Sequence, residues 1–335
     1  MKSKKTLIPV FLGLFLTVCI VVSCSRQQAE DTYSVKPRQI TGRKLKVALI
    51  PVTMNTAYTM TINGAKEEIT RLGNNMDLIV QAPSSNTSTI QEQGNILESL
   101  IQQKVDAIAL ATESDASMLP YLREAAKSNI PVFLFNMTEI DEENIYYVSS
   151  IGYDQYMAGY DIGKWVADNY GNTDTRIGVL EGYAGIVNTM RMNGFKDAIK
   201  NSPRIQIVAS QTADWNRTGG QRVTESILVS NPDINLIYGP YDEMVLGGLI
   251  VIRERGLVGK IDVVGFGCTK DGIAAIEAGE MKATIDVGEK GTGFDIINAV
   301  NDFCVKGKDV EKVINRPSKV YDITNLSDLD RSIFD

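Results

Sequence analysis

The chain has 335 residues, of which 44% are hydrophobic and 22% charged, and carries a formal net charge of -7; this balance suits a folded chain of more than one domain. The acidic excess, with no evident basic face, excludes nucleic acid as a partner, because phosphate binding needs clustered Lys and Arg. Histidine is absent altogether, which removes the commonest general base and transition-metal ligand, and with them Ser-His-Asp and Cys-His chemistry. No enzyme activity, cofactor or metal is expected of such a chain.

Residues 1–24 begin with Lys2, Lys4 and Lys5, pass through an apolar run short of a comfortable membrane span, and end in Val21-Val22-Ser23-Cys24. A short positive region, an apolar segment and small residues ahead of a cysteine are the layout of a cleaved targeting peptide. The last four residues resemble a bacterial lipobox, which implies that Cys24 is lipidated and becomes the first mature residue. A plain secretory peptide or a short anchor, with Cys24 incidental, is the alternative. Each buried acyl CH₂ contributes roughly 0.8 kcal/mol, and several chains on one cysteine give lasting attachment. The expected location is therefore the periplasmic or extracellular face of a bacterial membrane, held by lipid. Residues 25–44 are polar and aperiodic, with Pro37 and Gly42, and read as a tether. No later segment has the apolar run of about 20 residues that a spanning helix needs.

From Leu45 onward, short apolar β-branched runs alternate with segments of helical period, the signature of βαβ units and parallel sheets. The first unit is a strand at 45–51 and a helix from about Tyr58 to Leu72, carrying Ile62, Ala65 and Ile69. Strand 78–81 precedes a helix through Ile96, Leu97, Leu100 and Ile101; strand 107–111 precedes a helix at 118–126; and 132–135 is a fourth strand. A second series follows Ser150: helix 156–170, strand 177–180, helix 190–200, strand 205–209, a helix around 223–228, strand 236–238, helix 244–255 and strand 263–266. Two such series predict an α/β protein with two doubly wound parallel-sheet lobes. In open α/β sheets ligands bind beyond the carboxyl ends of the strands, so facing lobes place the ligand in the cleft between them.

Several loops after those strands resemble the ribose- and galactose-binding class of type 1 periplasmic binding proteins. The resemblance rests on Ala213-Asp214-Trp215-Asn216-Arg217, Asn231-Pro232-Asp233-Ile234, Tyr241-Asp242-Glu243-Met244-Val245-Leu246-Gly247 and Val263-Val264-Gly265-Phe266, in that order. Asn63-Gly64-Ala65-Lys66-Glu67-Glu68, Ile130-Pro131-Val132 and Arg191-Met192-Asn193-Gly194-Phe195 add to it, and the likeness covers nearly all of residues 45–325. It implies an N-terminal lobe of residues 45–152 plus 288–320 and a C-terminal lobe of 153–287 plus 321–335. The crossovers lie near Gly152, Val287 and Tyr321.

Carried over position by position, the resemblance implies ligand contacts at Asn55, Tyr58, Asn136, Met137, Asp154, Arg191, Trp215, Tyr241, Asp242, Gly267 and Val287. Asn and Asp at strand ends can exchange hydrogen bonds with hydroxyls, and aromatic rings can stack on a sugar face. Bland roles stay open beside these: Trp215 covering a helix start, Tyr58 as a surface aromatic, Tyr241 over a core, Asn136 satisfied by its turn, Asp154 as hinge, and Asp242 as a helix cap. The sequence departs from the class at several positions. Asn136-Met137 stands where an Asp-Arg pair is common, Tyr241-Asp242 where Asn-Asp is usual, Gly267 for an aspartate and Val287 for a glutamine. Arg191 is kept while its usual acidic counterparts are not, and a buried hydroxyl without a partner costs about 1–3 kcal/mol. These departures point to a ligand that is flatter, less hydroxylated or more aromatic than a plain pentose or hexose: a sugar derivative, polyol or nucleoside. Arg191→Ala and Trp215→Ala are each expected to weaken binding with little loss of stability.

The implied function is capture of a small carbohydrate-like solute by a monomeric, membrane-tethered receptor that closes and hands it to an ABC permease. The alternative is a receptor that presents the closed form to a chemoreceptor or sensor kinase. Cys19 leaves with the leader, so Cys268 and Cys304 are the two other cysteines besides Cys24; they are too few for a structural zinc site. Their pairing is open, although one follows a strand and the other sits on a helix. Gly265-Phe266-Gly267 lacks the third glycine of a dinucleotide fingerprint, and the stretch from Gly159 to Lys164 lacks phosphate-loop spacing.

Overall fold

Alternation along β1 (Leu45–Ile50) shows how the chain builds its layers: Leu45, Val47 and Leu49 join one apolar cluster, Ala48 and Ile50 another. Successive strand side chains point to opposite faces, so a strand covered on both sides needs apolar residues at every inner position. The computed structural model describes residues 34–84, 89–112, 114–136 and 146–334, all within one unit, Tyr33–Asp335. The leader, Cys24, the first part of the tether and Met137 lie outside the described residues. Among the described residues no helix is long and apolar enough to cross a membrane.

The first sheet takes β1, β2 (Met76–Val80), β3 (Ala107–Leu110), β4 (Val132–Phe135) and β5 (Ser149–Gly152), interspersed with α1 (Thr56–Arg71), α2 (Thr89–Gln102) and α3 (Asp115–Lys127). The chain then runs through α4 (Gln155–Tyr170), β6 (Thr175–Glu181), α5 (Ile186–Ile199), β7 (Ile205–Thr212), α6 (Arg217–Ser230), β8 (Leu236–Tyr238) and α7 (Asp242–Glu254). It ends with β9 (Asp262–Val264), α8 (Lys270–Glu277), β10 (Ala283–Asp286), α9 (Glu289–Cys304), β11 (Val313–Asn315) and β12 (Lys319–Asp322). The strand orders are β11-β5-β4-β3-β1-β2 and β12-β10-β9-β8-β6-β7. Every pairing is parallel except that of β12 with β10. This is the expected α/β architecture of two doubly wound sheets, with one antiparallel edge strand added.

Helix starts follow from side-chain caps. Asn55 Oδ1 accepts from Tyr58 N at 3.0 Å to open α1, and Asn216 Oδ1 accepts from Gly219 N at 2.8 Å to open α6. The second cap lets α6 begin at Arg217, six residues ahead of the apolar stretch 223–228 that marked it in the sequence. Each such cap contributes about 1 kcal/mol.

The chain passes between the sheets three times: after Gly152 into α4, after Asp286 into α9, and between Asn315 and Lys319. Lys319 and Val320 were expected with the first lobe, but β12 pairs with β10 from Lys319 onward, so both belong to the second sheet. Helix α9 returns to the first sheet, packing on α1 through two glycines. A Cβ on Gly64 would stand 2.0 Å from Lys290 O, and one on Gly293 2.0 Å from Thr61 O. Glycine is required there because only a bare backbone allows so close an approach.

Candidate functional site

The loops beyond the strands' carboxyl ends enclose a cavity of about 220 Å³ whose walls come from both sheets. From the first sheet's side, Asn55, Ala57 and Tyr58 follow β1, Thr112 follows β3 and Asn136 follows β4. From the second side, Tyr183 and Arg191 follow β6, Asp214, Trp215 and Asn216 follow β7, Tyr241 follows β8, and Phe266 and Gly267 follow β9. The crossovers contribute Gln155 and Glu289 to the same walls. The two sides also touch directly: Ala57 packs against the second sheet's core, and Thr56 Oγ1 donates to Glu243 Oε1 at 3.5 Å.

Arg191 organises the second side. Its Nε donates to Gln155 Oε1 at 2.7 Å, Nη1 to Pro240 O at 2.6 Å and Nη2 to Tyr153 Oη at 2.5 Å. The guanidinium lies over Phe266 at 4.1 Å and near Trp215 at 5.6 Å. Tyr153 Oη in turn donates to Glu289 Oε1 at 3.4 Å, while Glu289 Oε2 accepts from Asn136 Nδ2 at 3.0 Å and Thr61 Oγ1 at 3.1 Å. A continuous polar chain thus runs from α5 through a crossover to α1 and the end of β4. Burial pushes the Glu289 carboxyl above the ordinary carboxylate range, against the opposing pull of the Asn136 hydrogen bond and the Arg191 charge. Burial raises the Tyr153 phenol in the same way.

Two buried polar atoms on this wall, Asn136 Oδ1 and Gln155 Nε2, have no partner in hydrogen-bonding geometry. Leaving such a group unpaired costs about 1–3 kcal/mol, and together they offer an acceptor and a donor to whatever fills the cavity. Backbone strain gathers here as well: Asn136, Asp214 and Trp215 hold φ of 53, 59 and 55°. Non-glycine residues in the left-handed region cost about 1–3 kcal/mol each and concentrate at ligand clamps. The aromatic lining is braced too. Trp215 meets Tyr241 edge to face at 6.3 Å and lies against Gly182, while Tyr58 meets Phe135 at 6.0 Å.

Of the residues singled out by sequence, the cavity gathers Asn55, Tyr58, Asn136, Arg191, Trp215, Tyr241 and Gly267. Asp154 does not line it; the side chain is exposed and caps α4, with Oδ1 accepting from Met157 N at 2.9 Å. Asp242 is fully buried behind the wall, where it accepts from Thr269 N at 2.7 Å, Thr269 Oγ1 at 3.0 Å and Thr284 Oγ1 at 2.8 Å. It braces the loops of α8 and β10 and is neither cap nor wall, since Tyr241 holds the cap position of α7. Val287 is buried in the core of the second lobe, among Tyr153, Phe266 and Ile285. Met137 lies outside the described residues. Arg191 is 8% exposed with three hydrogen bonds, so it joins the elements around it as well as facing the cavity, which sets a larger stability cost on Arg191→Ala than the little loss expected from sequence.

Sequence reasoning missed Gln155, Tyr183, Asp214, Asn216 and Glu289. The signal for Glu289 was present: it is the first residue of a helix directly after a crossover, where a carboxylate meets the free amides of the helix start. Cys268 and Cys304 are both free, buried in different cores.

Residues 47–309 match the model of the periplasmic binding protein domain. The galactofuranose-binding protein of Escherichia coli K12 is 31% identical over 208 residues, covering 59% of this chain and 64% of that protein's length. The ribose import binding protein of Bacillus subtilis 168 is 29% identical over 311 residues, covering 92% of this chain and 96% of the relative. Among solved structures, an ABC transporter periplasmic solute-binding protein from Actinobacillus succinogenes with bound D-allose superposes with a TM-score of 0.77 at 27% identity, covering 85% of this chain and all of that one.

Proposed function

We propose, from the premise that this chain belongs to the periplasmic binding protein family, that it is an extracytoplasmic lipoprotein, tethered through Cys24, which captures a small neutral sugar or sugar-like solute and delivers it to an ABC importer. The observation that carries this reading is the pair of unpartnered polar atoms, Asn136 Oδ1 and Gln155 Nε2, buried on a cavity wall to which both sheets contribute. A polyhydroxylated ligand satisfies both atoms at once, because a hydroxyl donates one hydrogen bond and accepts others. The aromatic faces of Trp215, Tyr241 and Tyr58 suit the apolar faces of a sugar ring.

Closure is the mechanism that such a cavity supports. Lobes of residues 45–152 with 288–318 and 153–287 with 319–335 pivot about the three crossovers. Only the closed state lets both walls touch the ligand, so binding shifts the population towards it by the difference in affinity between the two states. No bond is made or broken. The named ligands of the relatives, galactofuranose, ribose and allose, favour a single sugar unit as cargo over the flatter, less hydroxylated ligand expected from the sequence departures, because Gln155 and Glu289 supply polar groups to the wall that those departures had left out of account.

Mass spectrometry of the gently purified protein should detect a retained monosaccharide-sized solute. Calorimetry with D-allose, D-ribose and D-galactose should find at least one that binds at micromolar level or better. Small-angle scattering should then show compaction with that sugar. Failure to retain any solute, together with no heat from any of the three sugars, would refute the reading.

A further inference from the structure

We infer that Glu289 is itself a ligand-binding residue, an acceptor on the cavity wall that selects for a hydroxyl donor; this rests on the sugar-binding reading above. Glu289 lines the cavity while being only 3% exposed. A carboxylate brought out of water ordinarily takes a directly paired cation, and among the described residues no Lys or Arg forms an ion pair with it. Its partners are neutral donors from three parts of the chain: Thr61 on α1, Asn136 after β4 and Tyr153 in the crossover.

An ionised carboxylate offers about four acceptor positions. The three partners use three of them, one through the long 3.4 Å contact with Tyr153. The carboxylate thus keeps acceptor capacity at the cavity wall, which it lines together with the unpartnered Asn136 Oδ1. Two features stabilise the charge without a direct ion pair: the free amides at the start of α9 and Arg191, which reaches it through Tyr153. Arg191 has five N–H donors and uses three, so it retains donors of its own. One positive and one negative group on the same wall favour a neutral ligand with hydroxyls that both donate and accept. The close packing of Gly64 and Gly293 fixes the geometry, because it holds α9 at the distance from which Glu289 reaches Thr61.

The test is calorimetry with D-allose, D-ribose and D-galactose on wild type, Glu289→Gln and Glu289→Asp, at pH 5 and pH 8, with circular dichroism to verify folding. Glutamine is isosteric and its carbonyl still accepts from Thr61 and Asn136, so the fold is expected to persist. For whichever sugar wild type binds, Glu289→Gln should weaken affinity at least tenfold, with Glu289→Asp in between. The groups whose charge bears on Glu289 are Arg191 from α5, Tyr153 from the crossover and Asp286 from β10. Asp286 also has a raised carboxyl, so the informative quantity is the wild-type pH dependence minus that of Glu289→Gln. Wild type should bind more tightly at pH 8 than at pH 5, and the variant should lose most of that difference. A folded Glu289→Gln that binds within twofold of wild type with the same pH profile would overturn this inference alone. If Glu289→Gln does not fold, Glu289→Asp decides on affinity alone, since its shorter side chain withdraws the carboxylate from the ligand: binding within twofold of wild type would overturn the inference. No binding of any sugar to wild type would instead overturn the sugar-binding reading, and this inference with it.

Discussion

Replacing Arg191 by alanine tests the site and the fold together. The substitution strands three buried groups, Gln155 Oε1, Pro240 O and Tyr153 Oη, each of which now accepts a hydrogen bond of 2.5–2.7 Å. An unsatisfied buried acceptor costs about 1–3 kcal/mol. Water can reach the vacated space from the cavity, so the low end applies, about 3 kcal/mol for the three. Loss of the guanidinium from the face of Phe266 adds about 1 kcal/mol. At about 2.1 cal/mol/K of unfolding entropy per residue, each kcal/mol lowers the melting temperature of a chain this long by about 1.5–2 °C, so ligand-stripped Arg191→Ala should melt about 6–8 °C below wild type. Circular dichroism after unfolding, dialysis and refolding of both proteins measures this. A difference under about 2 °C, well outside that range, would show that these bonds contribute nothing without ligand and that the polar chain through Tyr153 is not preformed.

Trp215→Ala should lower sugar affinity tenfold or more, read by calorimetry, with a smaller fall in melting temperature than Arg191→Ala because the partly buried ring also packs on Tyr241. Gly64→Ala should destabilise by about 3 kcal/mol in urea unfolding, because its Cβ meets the Lys290 carbonyl, whose backbone cannot yield cheaply. Glu289 and Asp242 both have carboxyls raised by burial. The folded state therefore holds protons that the unfolded state has released, and their contribution to stability falls as pH rises from the ordinary carboxylate range, about 4, towards the raised values. Denaturation of Glu289→Gln at pH 4.5 and 7.5 should accordingly show the variant gaining on wild type at the higher pH. Burial pushes the Cys304 thiol up to about 11 and raises Cys268 further, so neither should react with a thiol reagent at pH 8 until the protein is unfolded.

Most strands buried on both faces were legible, as in Val132–Phe135, whose four residues are all buried and apolar, but β10 was not, because Thr284 and Asp286 interrupt its apolar run. β5 was not, because Ser149 and Ser150 carry polar side chains into a buried position and break the apolar signal. The short β11 and β12 escaped for a related reason: they are edge strands and only partly buried. Loop residues after the strands were found by resemblance where the motif holds, as at Arg191 and Trp215. Asp242 and Val287 show the limit of that transfer. The same motif position can point into a cavity or behind it, and only the path of the backbone decides. Glu289 lies two residues past the last position the motif offered, so the resemblance did not mark it, and its place at a helix start after an anticipated crossover was the one signal left to find it.

The first sheet takes its outermost strand from Val313–Asn315, after β6 to β10 of the second sheet have all been made. A ribosome making this chain therefore releases an unfinished first half throughout synthesis of the second, and the bare side of β5 stays open until Val313–Asn315 emerges. Such late, long-range pairing slows folding and exposes an edge on which other chains can add. Premature stops anywhere before Val313 should produce insoluble material rather than a usable fragment.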